Sequence, residues 1–280
     1  MQTHSTIASM RAACRAAKYG NQSLGFVPTM GALHEGHLSL MRAAKKECGV
    51  VAASIFVNPT QFGPNEDYSK YPRTLERDAA LLEKENVDLL FTPSADEMYP
   101  KGATTFVEVG GLGERLCGRF RPGHFRGVAT IVSKLFHIVE PDVAYFGQKD
   151  AAQCAIIKRM VRDLDMPVHI AVCPITREPD GLAMSSRNAY LTPEQRKQAL
   201  VLSRALNRVQ QSFHQGEKDS AKLIDTANSI FATEPTVQLE YVEIVDAESL
   251  EPVPLANKGT LVAVAAKVGG TRLIDNILLS

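Results

Sequence analysis

The sequence predicts an α/β protein with a doubly wound parallel sheet, followed by a second, smaller α+β domain. Two observations carry this expectation. Through residue 175, short β-rich apolar runs alternate with segments of helical spacing, the pattern of parallel strands joined by crossover helices. Beyond residue 176 the order changes to helices first and strands after them. A chain of 280 residues has room for both parts.

The elements follow in order. Residues 1–19 read as one amphipathic helix, with Ile7, Met10, Ala13, Cys14 and Ala17 on one face. Residues 24–27 form an apolar strand ending at Pro28. Residues 37–48 have helical spacing (Leu38, Met41, Ala44, Cys48), and Gly49 is placed to stop them. Residues 50–57 are a continuous β-rich run, as in a strand covered on both faces. A helix over 74–86 turns Leu75, Ala79 and Leu82 inward, and 87–91 is the next buried strand. Helix 125–139, strand 143–146, helix 149–164 and strand 168–172 complete the first domain, 1–175. The second, 176–280, opens at the turn-rich link Arg177-Glu178-Pro179-Asp180-Gly181. Thr192 caps a long helix over 193–215, with Pro193 at its first position. Another helix covers 220–233, and strands cover 239–245, 261–268 and 272–278. The runs 50–57 and 261–268 are also candidates for sheet pairing or a dimer surface.

Charge narrows the function classes. Lys+Arg and Asp+Glu both total 31, and 22% of residues are charged. Net charge is +2 over residues 1–175 and −2 over 176–280. Neither part has the basic excess that non-specific nucleic-acid or membrane-surface binding usually needs, which leaves room for a local basic pocket. No apolar run approaches membrane-spanning length, and the N-terminus lacks the apolar core of a secretion signal. Cys14, Cys48, Cys117, Cys154 and Cys173 are odd in number and widely spaced. They read as reduced thiols of a cytoplasmic protein, mostly buried, with Cys117 the more exposed.

Five segments carry chemistry. Pro28-Thr29-Met30-Gly31-Ala32-Leu33-His34-Glu35-Gly36-His37 follows the first strand and opens a helix. A helix N-terminus offers free N–H groups to a phosphate. Gly31 and Gly36 let backbone approach a ligand closely. His34 and His37 share a helix face, where two imidazoles can donate to a triphosphate. A zinc pair is the alternative, but zinc helices usually space histidines by four and need a further ligand. Gly147-Gln148-Lys149-Asp150 lies at a strand's carboxyl end, where open α/β sheets bind ligands. Lys149 is placed to neutralise a phosphoryl centre, Gln153 lies one turn on, and Asp150 can either cap the helix or face the site. Met184-Ser185-Ser186-Arg187-Asn188 has the hydroxyls and guanidinium of a phosphate clamp, or is an ordinary polar loop. Residues 115–126 hold Arg115, Arg119, Arg121 and Arg126 with Gly123 and His124, a local positive patch. Asn58-Pro59-Thr60-Gln61-Phe62-Gly63 supplies neutral amides for a hydroxyl or carboxylate, and the loop onward to Arg73 has the length of a lid.

Together, PTMGALHEGH, FVNPTQF, RPGHFRGV, YFGQKDAAQ and REPDGLAMSSRN resemble the pantothenate synthetases (pantoate–β-alanine ligases), in order and over nearly the whole chain. That family belongs to the HIGH-type nucleotidyltransferases with a Rossmann-like fold. Met184 stands where the family commonly has Leu. The resemblance implies a ligase of pantothenate, hence coenzyme A, biosynthesis: ATP adenylates (R)-pantoate, diphosphate leaves, and β-alanine displaces AMP. It implies ATP on Met30, Gly31, Ala32, Leu33, His34, Glu35, Gly36, His37, Gly147, Gln148, Lys149, Asp150, Thr176, Met184, Ser185, Ser186 and Arg187. It gives catalytic roles to His34, His37, Lys149 and Arg187. For His37 the family role of proton donor is read here as phosphate binding and stabilisation of the leaving diphosphate. It places pantoate and β-alanine on Gln61, Gln153, Asn58 and Arg121, Mg²⁺ on the phosphates with Asp78 as a metal-side carboxylate, and the chain in a homodimer. Two rivals stay open: an adenylyltransferase with a phosphorylated acceptor, which would need more basic groups around Asn58, Gln61 and Gln153, and a non-catalytic nucleotide- or RNA-binding module, which would need no Lys149.

Overall fold

The computed structural model describes residues 1–18, 22–64 and 66–280. Six parallel strands form one sheet: β1 (Gln2–His4), β2 (Leu24–Thr29), β3 (Val50–Ile55), β4 (Leu89–Phe91), β5 (Val143–Gly147) and β6 (His169–Cys173). Their spatial order is β1-β4-β3-β2-β5-β6. The strands alternate between two cores, which is why they read as unbroken apolar runs. Phe26, Ala52, Phe91, Ala144 and Phe146 face α1 (Ile7–Ala17), α5 (His124–Val139) and α6 (Ala151–Asp163). Val27, Val51, Ala53, Leu90 and Tyr145 face α2 (Glu35–Glu47) and α3 (Leu75–Lys84). One short helix, α4 (Ala95–Met98), follows β4. The chain winds outward both ways from the adjacent strands β2 and β5, so their carboxyl ends flank the switch point where such sheets open a crevice.

After β6 come α7 (Pro193–His214) and α8 (Ser220–Phe231), then the antiparallel sheet β7 (Gln238–Val245), β8 (Leu261–Val268) and β9 (Thr271–Leu278), ordered β7-β8-β9. Thr192 caps α7 as expected: its side chain accepts the Gln195 N–H, and Gln195 returns a bond to the Thr192 N–H. Val262, Val264, Ala266 and Val268 pack on α7 and α8. Leu261 and Ala263, on the other face of β8, join the core beneath α5 and α6. The small sheet is thus sandwiched between its own helices and the first unit.

Several expectations change. The N-terminal helix starts only at Ile7, where the Thr6 side chain accepts the Ser9 N–H. Residues 2–4 instead pair with β4 as an edge strand too short to show a period. Tyr19 lies outside the described residues. In α3, Leu75 is 47% exposed and Asp78 takes the buried position. Cys117 is buried, and all five cysteines are unbridged. Strands β3 and β8 are interior to their sheets, so neither offers a dimer surface. No helix among the described residues is long and apolar enough to cross a membrane.

Candidate active site

A cavity of about 230 Å³ opens at the carboxyl ends of β2 and β5. Its first wall is the loop between β2 and α2. Gly31 (φ +84°) and Ala32 (φ +50°) put a tight bend there. A Cβ at Gly31 would meet Ile55 Cγ2 at 3.0 Å and Asp78 Oδ2 at 3.2 Å, so only glycine fits. Asp78 fastens the bend: its oxygens accept the N–H groups of Ala32 (2.8 Å) and Leu33 (2.9 Å), and the Thr74 hydroxyl (3.1 Å). This carboxylate, expected beside a metal, is fully buried behind the loop and already occupied. Gly31, Ala32 and Leu33 build the wall from behind rather than lining the cavity, and Glu35 turns outward to pair with Arg42.

His34 is the N-cap of α2 and His37 its third residue. His34 Nδ1 accepts the Gly36 N–H at 3.2 Å, and His37 Nδ1 accepts the His34 N–H at 3.3 Å. A Cβ on Gly36 would sit 3.0 Å from the His34 ring, so this glycine makes room for the imidazole. Helix-start N–H groups expected to be free for phosphate are partly spent on the imidazoles, which take over as donors. With Nδ1 accepting, each neutral ring carries its proton on Nε2. Burial, helped by the Lys149 charge, lowers His34 to about 4. Burial, then His34 and Lys149, lowers His37 to about 3.

The second wall is the β5–α6 junction. Gly147, Lys149, Asp150 and Gln153 line the cavity, and nothing lies within 4 Å of where a Gly147 Cβ would be. Asp150 makes no capping bond, which removes the capping alternative. The Lys149 ammonium has the Asp150 carboxylate 3.8 Å away. Gln148 points aside and bonds Asn276 at 3.3 Å. Asn276, 3% exposed on β9, donates to the carbonyls of Gln148 (3.0 Å) and Lys149 (2.9 Å). Nothing in the local sequence marked Asn276, because its partners are more than 120 residues away.

The third wall is Thr176 with Met184, Ser185, Ser186 and Arg187. The Thr176 and Ser39 hydroxyls meet at 3.2 Å, and Arg187 holds Asp67 with two bonds of 3.0 and 2.9 Å. Burial works against the charged guanidinium, but the Asp67 pair outweighs it and pushes the pKa up. Tyr71 bonds Ser186 at 3.2 Å, so the loop after Gln61 is docked on this wall. The fourth wall carries Met30, Asn58, Gln61 and Arg121 beside the apolar Phe56, Val128, Ile131 and Val132.

Imidazole, ammonium and guanidinium groups thus face neutral amides and an apolar patch across one cavity. The family profile described as pantoate-beta-alanine ligase matches residues 2–278. This chain belongs to the pantoate–β-alanine ligase family. Curated relatives agree: it is 60% identical over 290 residues to the pantothenate synthetase of Acidobacterium capsulatum, covering 100% of this chain and 97% of that one. It is 57% identical over 279 residues to the pantothenate synthetase of Thermotoga neapolitana, with both chains fully covered. Among solved structures, pantothenate synthetase from Thermus thermophilus matches with a TM-score of 0.95 and 48% identity, over 100% of this chain and 99% of that one. The Francisella tularensis pantoate-β-alanine ligase, complexed with β-γ ATP and β-alanine, matches with a TM-score of 0.77 and 36% identity, over 99% and 97% of the two chains. Ligases of this family are therefore the frame for the four walls described above.

Proposed function

We propose that this chain condenses (R)-pantoate with β-alanine, using ATP, to give pantothenate, AMP and diphosphate. A pantoate carboxylate oxygen bonds to the α-phosphorus of ATP while the bond to the bridging oxygen breaks and diphosphate leaves. The β-alanine amine then bonds to the activated acyl carbon, loses a proton, and AMP departs. One observation carries this reading: Lys149, His34, His37 and Arg187 converge on the same cavity as Gln61 and Gln153. Phosphoryl transfer is mostly positioning and charge stabilisation, which those four groups supply. Lys149 meets charge developing on the α-phosphoryl oxygens. The Nε2–H groups of His34 and His37 donate to phosphate oxygens without giving up a proton. Met30, Gly36, Gly147, Asp150, Thr176, Met184, Ser185 and Ser186 complete the nucleotide walls, with Gly31, Ala32, Leu33, Glu35 and Gln148 shaping them. Gln61 and Gln153 take the hydroxy acid by neutral hydrogen bonds, and the apolar patch takes its methyl groups. The neutral amides disfavour a phosphorylated acceptor.

Magnesium fits as an ion carried by the nucleotide. Among the described residues no three His, Cys, Asp or Glu side chains converge, so a protein cage is not the design. Magnesium commonly keeps several waters and binds through phosphates with one or two carboxylates, and Asp150 on the cavity wall is suited to that contact. When bound, the ion would neutralise phosphate oxygens.

We put the domain boundary at 175/176, a reading supported by the end of β6 at Cys173 before it and the bridged pair Arg177 and Ala183 after it. The unbridged cysteines support a cytoplasmic setting. The chain is read as a homodimer, so sedimentation should give twice the 30.5 kDa chain mass.

Isotope exchange between ATP and diphosphate tests the reaction. Pantoate should stimulate the exchange without β-alanine, and AMP should accumulate only when both acids are present. Exchange indifferent to pantoate would remove pantoate as the acceptor.

A further inference from the structure

Gln61 ends a short 3₁₀ turn, Pro59–Gln61, and it is held from two directions. Asn58 Nδ2 donates to Gln61 Oε1 at 3.0 Å and to the Gly127 carbonyl at 3.1 Å. That contact turns the Gln61 amide so that Nε2 is its donor: one N–H meets Met30 Sδ at 3.1 Å and the second is left for a ligand. The Gln61 carbonyl accepts from His124 Nδ1 at 2.8 Å and from Arg121 Nη2 at 3.3 Å. A carbonyl only accepts, so His124 carries its proton on Nδ1. Its Nε2 is then the acceptor for Arg121 Nη1 at 2.9 Å. Arg121 also clasps Glu66 through Nε (2.7 Å) and Nη2 (2.6 Å).

A guanidinium has five N–H donors. Four of those on Arg121 are engaged: two by Glu66, one by His124 and one by the Gln61 carbonyl. Arg187 spends two on Asp67. The two arginines of the cavity therefore do different things, and only Arg187 keeps a fork open to an anion.

We propose that Glu66, through Arg121, and His124, by its own bond and by holding Arg121, are positioning residues which lock the Gln61 backbone and aim its amide at the hydroxy-acid substrate. Arg121 then acts on the substrate through Gln61 and is not itself an anion ligand. This rests on the placing of pantoate at Gln61 argued above. Glu66 sits on the loop, Arg121 before α5 and Gln61 after β3, so the clasp ties three separate pieces of chain to one side-chain direction.

The test compares Glu66→Gln, Arg121→Lys, His124→Phe and His124→Asn with the unaltered protein, each checked for an unchanged melting temperature. Small misplacements of a binding group cost up to about a hundredfold, so Glu66→Gln, Arg121→Lys and His124→Phe should each raise the pantoate KM by about tenfold or more. The ATP KM should stay within about twofold, because the nucleotide walls are untouched. His124→Asn keeps a donor near the Gln61 carbonyl and should recover part of the loss. Glu66→Gln combined with Arg121→Lys should be no worse than either alone, as for one coupled unit. A pantoate KM within about twofold of the parent in both Glu66→Gln and His124→Phe, with Arg121→Lys impaired, would make Arg121 a direct ligand and overturn the proposal. Nitrogen-15 shifts of the His124 ring provide a readout needing no substrate: Nδ1 protonated and Nε2 bare is expected, and the opposite tautomer overturns the clasp. If the parent protein shows no pantoate-stimulated exchange while the ring shifts are as expected, the clasp stands and the choice of substrate falls.

Discussion

His34 and His37 lie with ring centroids 4.1 Å apart, and each imidazole accepts a backbone N–H through Nδ1. One contact thus caps α2 and sets the tautomer that presents Nε2–H to the cavity.

Acid should act on this pair, as it should on His124, which burial and the Arg121 charge also lower to about 4. An unfolded histidine titrates near 6.5, whereas these two are lowered to about 4 and about 3. The unfolded chain therefore binds more protons as pH falls below about 6.5, so the pair's contribution is fully present above that pH. It is lost as pH falls through about 4 and then about 3. Discounting for partial exposure, the drop from pH 7 to pH 5 should be of the order of 2 kcal/mol in denaturant unfolding. Replacing the pair by a standard capping box, His34→Ser with His37→Gln, should flatten that dependence and keep the helix start. It should also lower kcat by about a hundredfold through loss of both donors.

Lys149→Ala should lower kcat by about 10² to 10³, the usual cost of one charge-stabilising donor, with little change in melting temperature. The ammonium's carboxylate neighbour among the described residues, Asp150, lies 3.8 Å away and is half exposed, so removing the ammonium leaves no buried partner stranded. Turnover within a few-fold of the parent would take Lys149 out of the mechanism.

Asp78→Asn should behave as a loop lesion. One of two backbone N–H groups loses its acceptor, which costs about 1–3 kcal/mol in unfolding free energy. The ATP KM should rise because the bend at Gly31 and Ala32 loosens. A metal ligand would show a shifted magnesium dependence with normal stability; titrating activity with magnesium separates the two.

Gly127→Ala tests the packing of α5 against the turn that carries Gln61. The added Cβ would sit 2.4 Å from the Thr60 carbonyl oxygen and 2.7 Å from Gln61 Cα. Backbone must shift, costing about 1–3 kcal/mol. The pantoate KM should rise more than the ATP KM.

Most of the fold was legible because its strands and helices are long enough to show a period. Strand β1 was not, since three residues carry none. Leu75 is exposed where the sequence predicts it inward, because α3 is aligned by the bonds of Asp78 to the N–H groups of Ala32 and Leu33, a demand invisible in helical spacing. The site's contents were legible as motifs, yet the division of labour was not. Asn58 and Arg121 look like ligand residues in isolation. Most of their donors are engaged by Gln61, Gly127, Glu66 and His124, partners three to 69 residues away. Glu66, Asp67 and Asn276 carried no signal of their own, and His124 only that of a positive patch, because each matters only through what it holds.

The small sheet bears on how the enzyme moves. Leu261 and Ala263 are rooted in the first unit's core, while Asn276 ties β9 to the Gln148 and Lys149 carbonyls across the same seam. Swinging the second unit away as a rigid hinge would tear apolar surface into water and break both bonds of the buried Asn276 to the first unit. Adjustment to substrates should instead fall to the loop stretches 66–73 and 176–185. The seam also makes the two units one cooperative block, which should melt in a single transition that nucleotide raises as a whole.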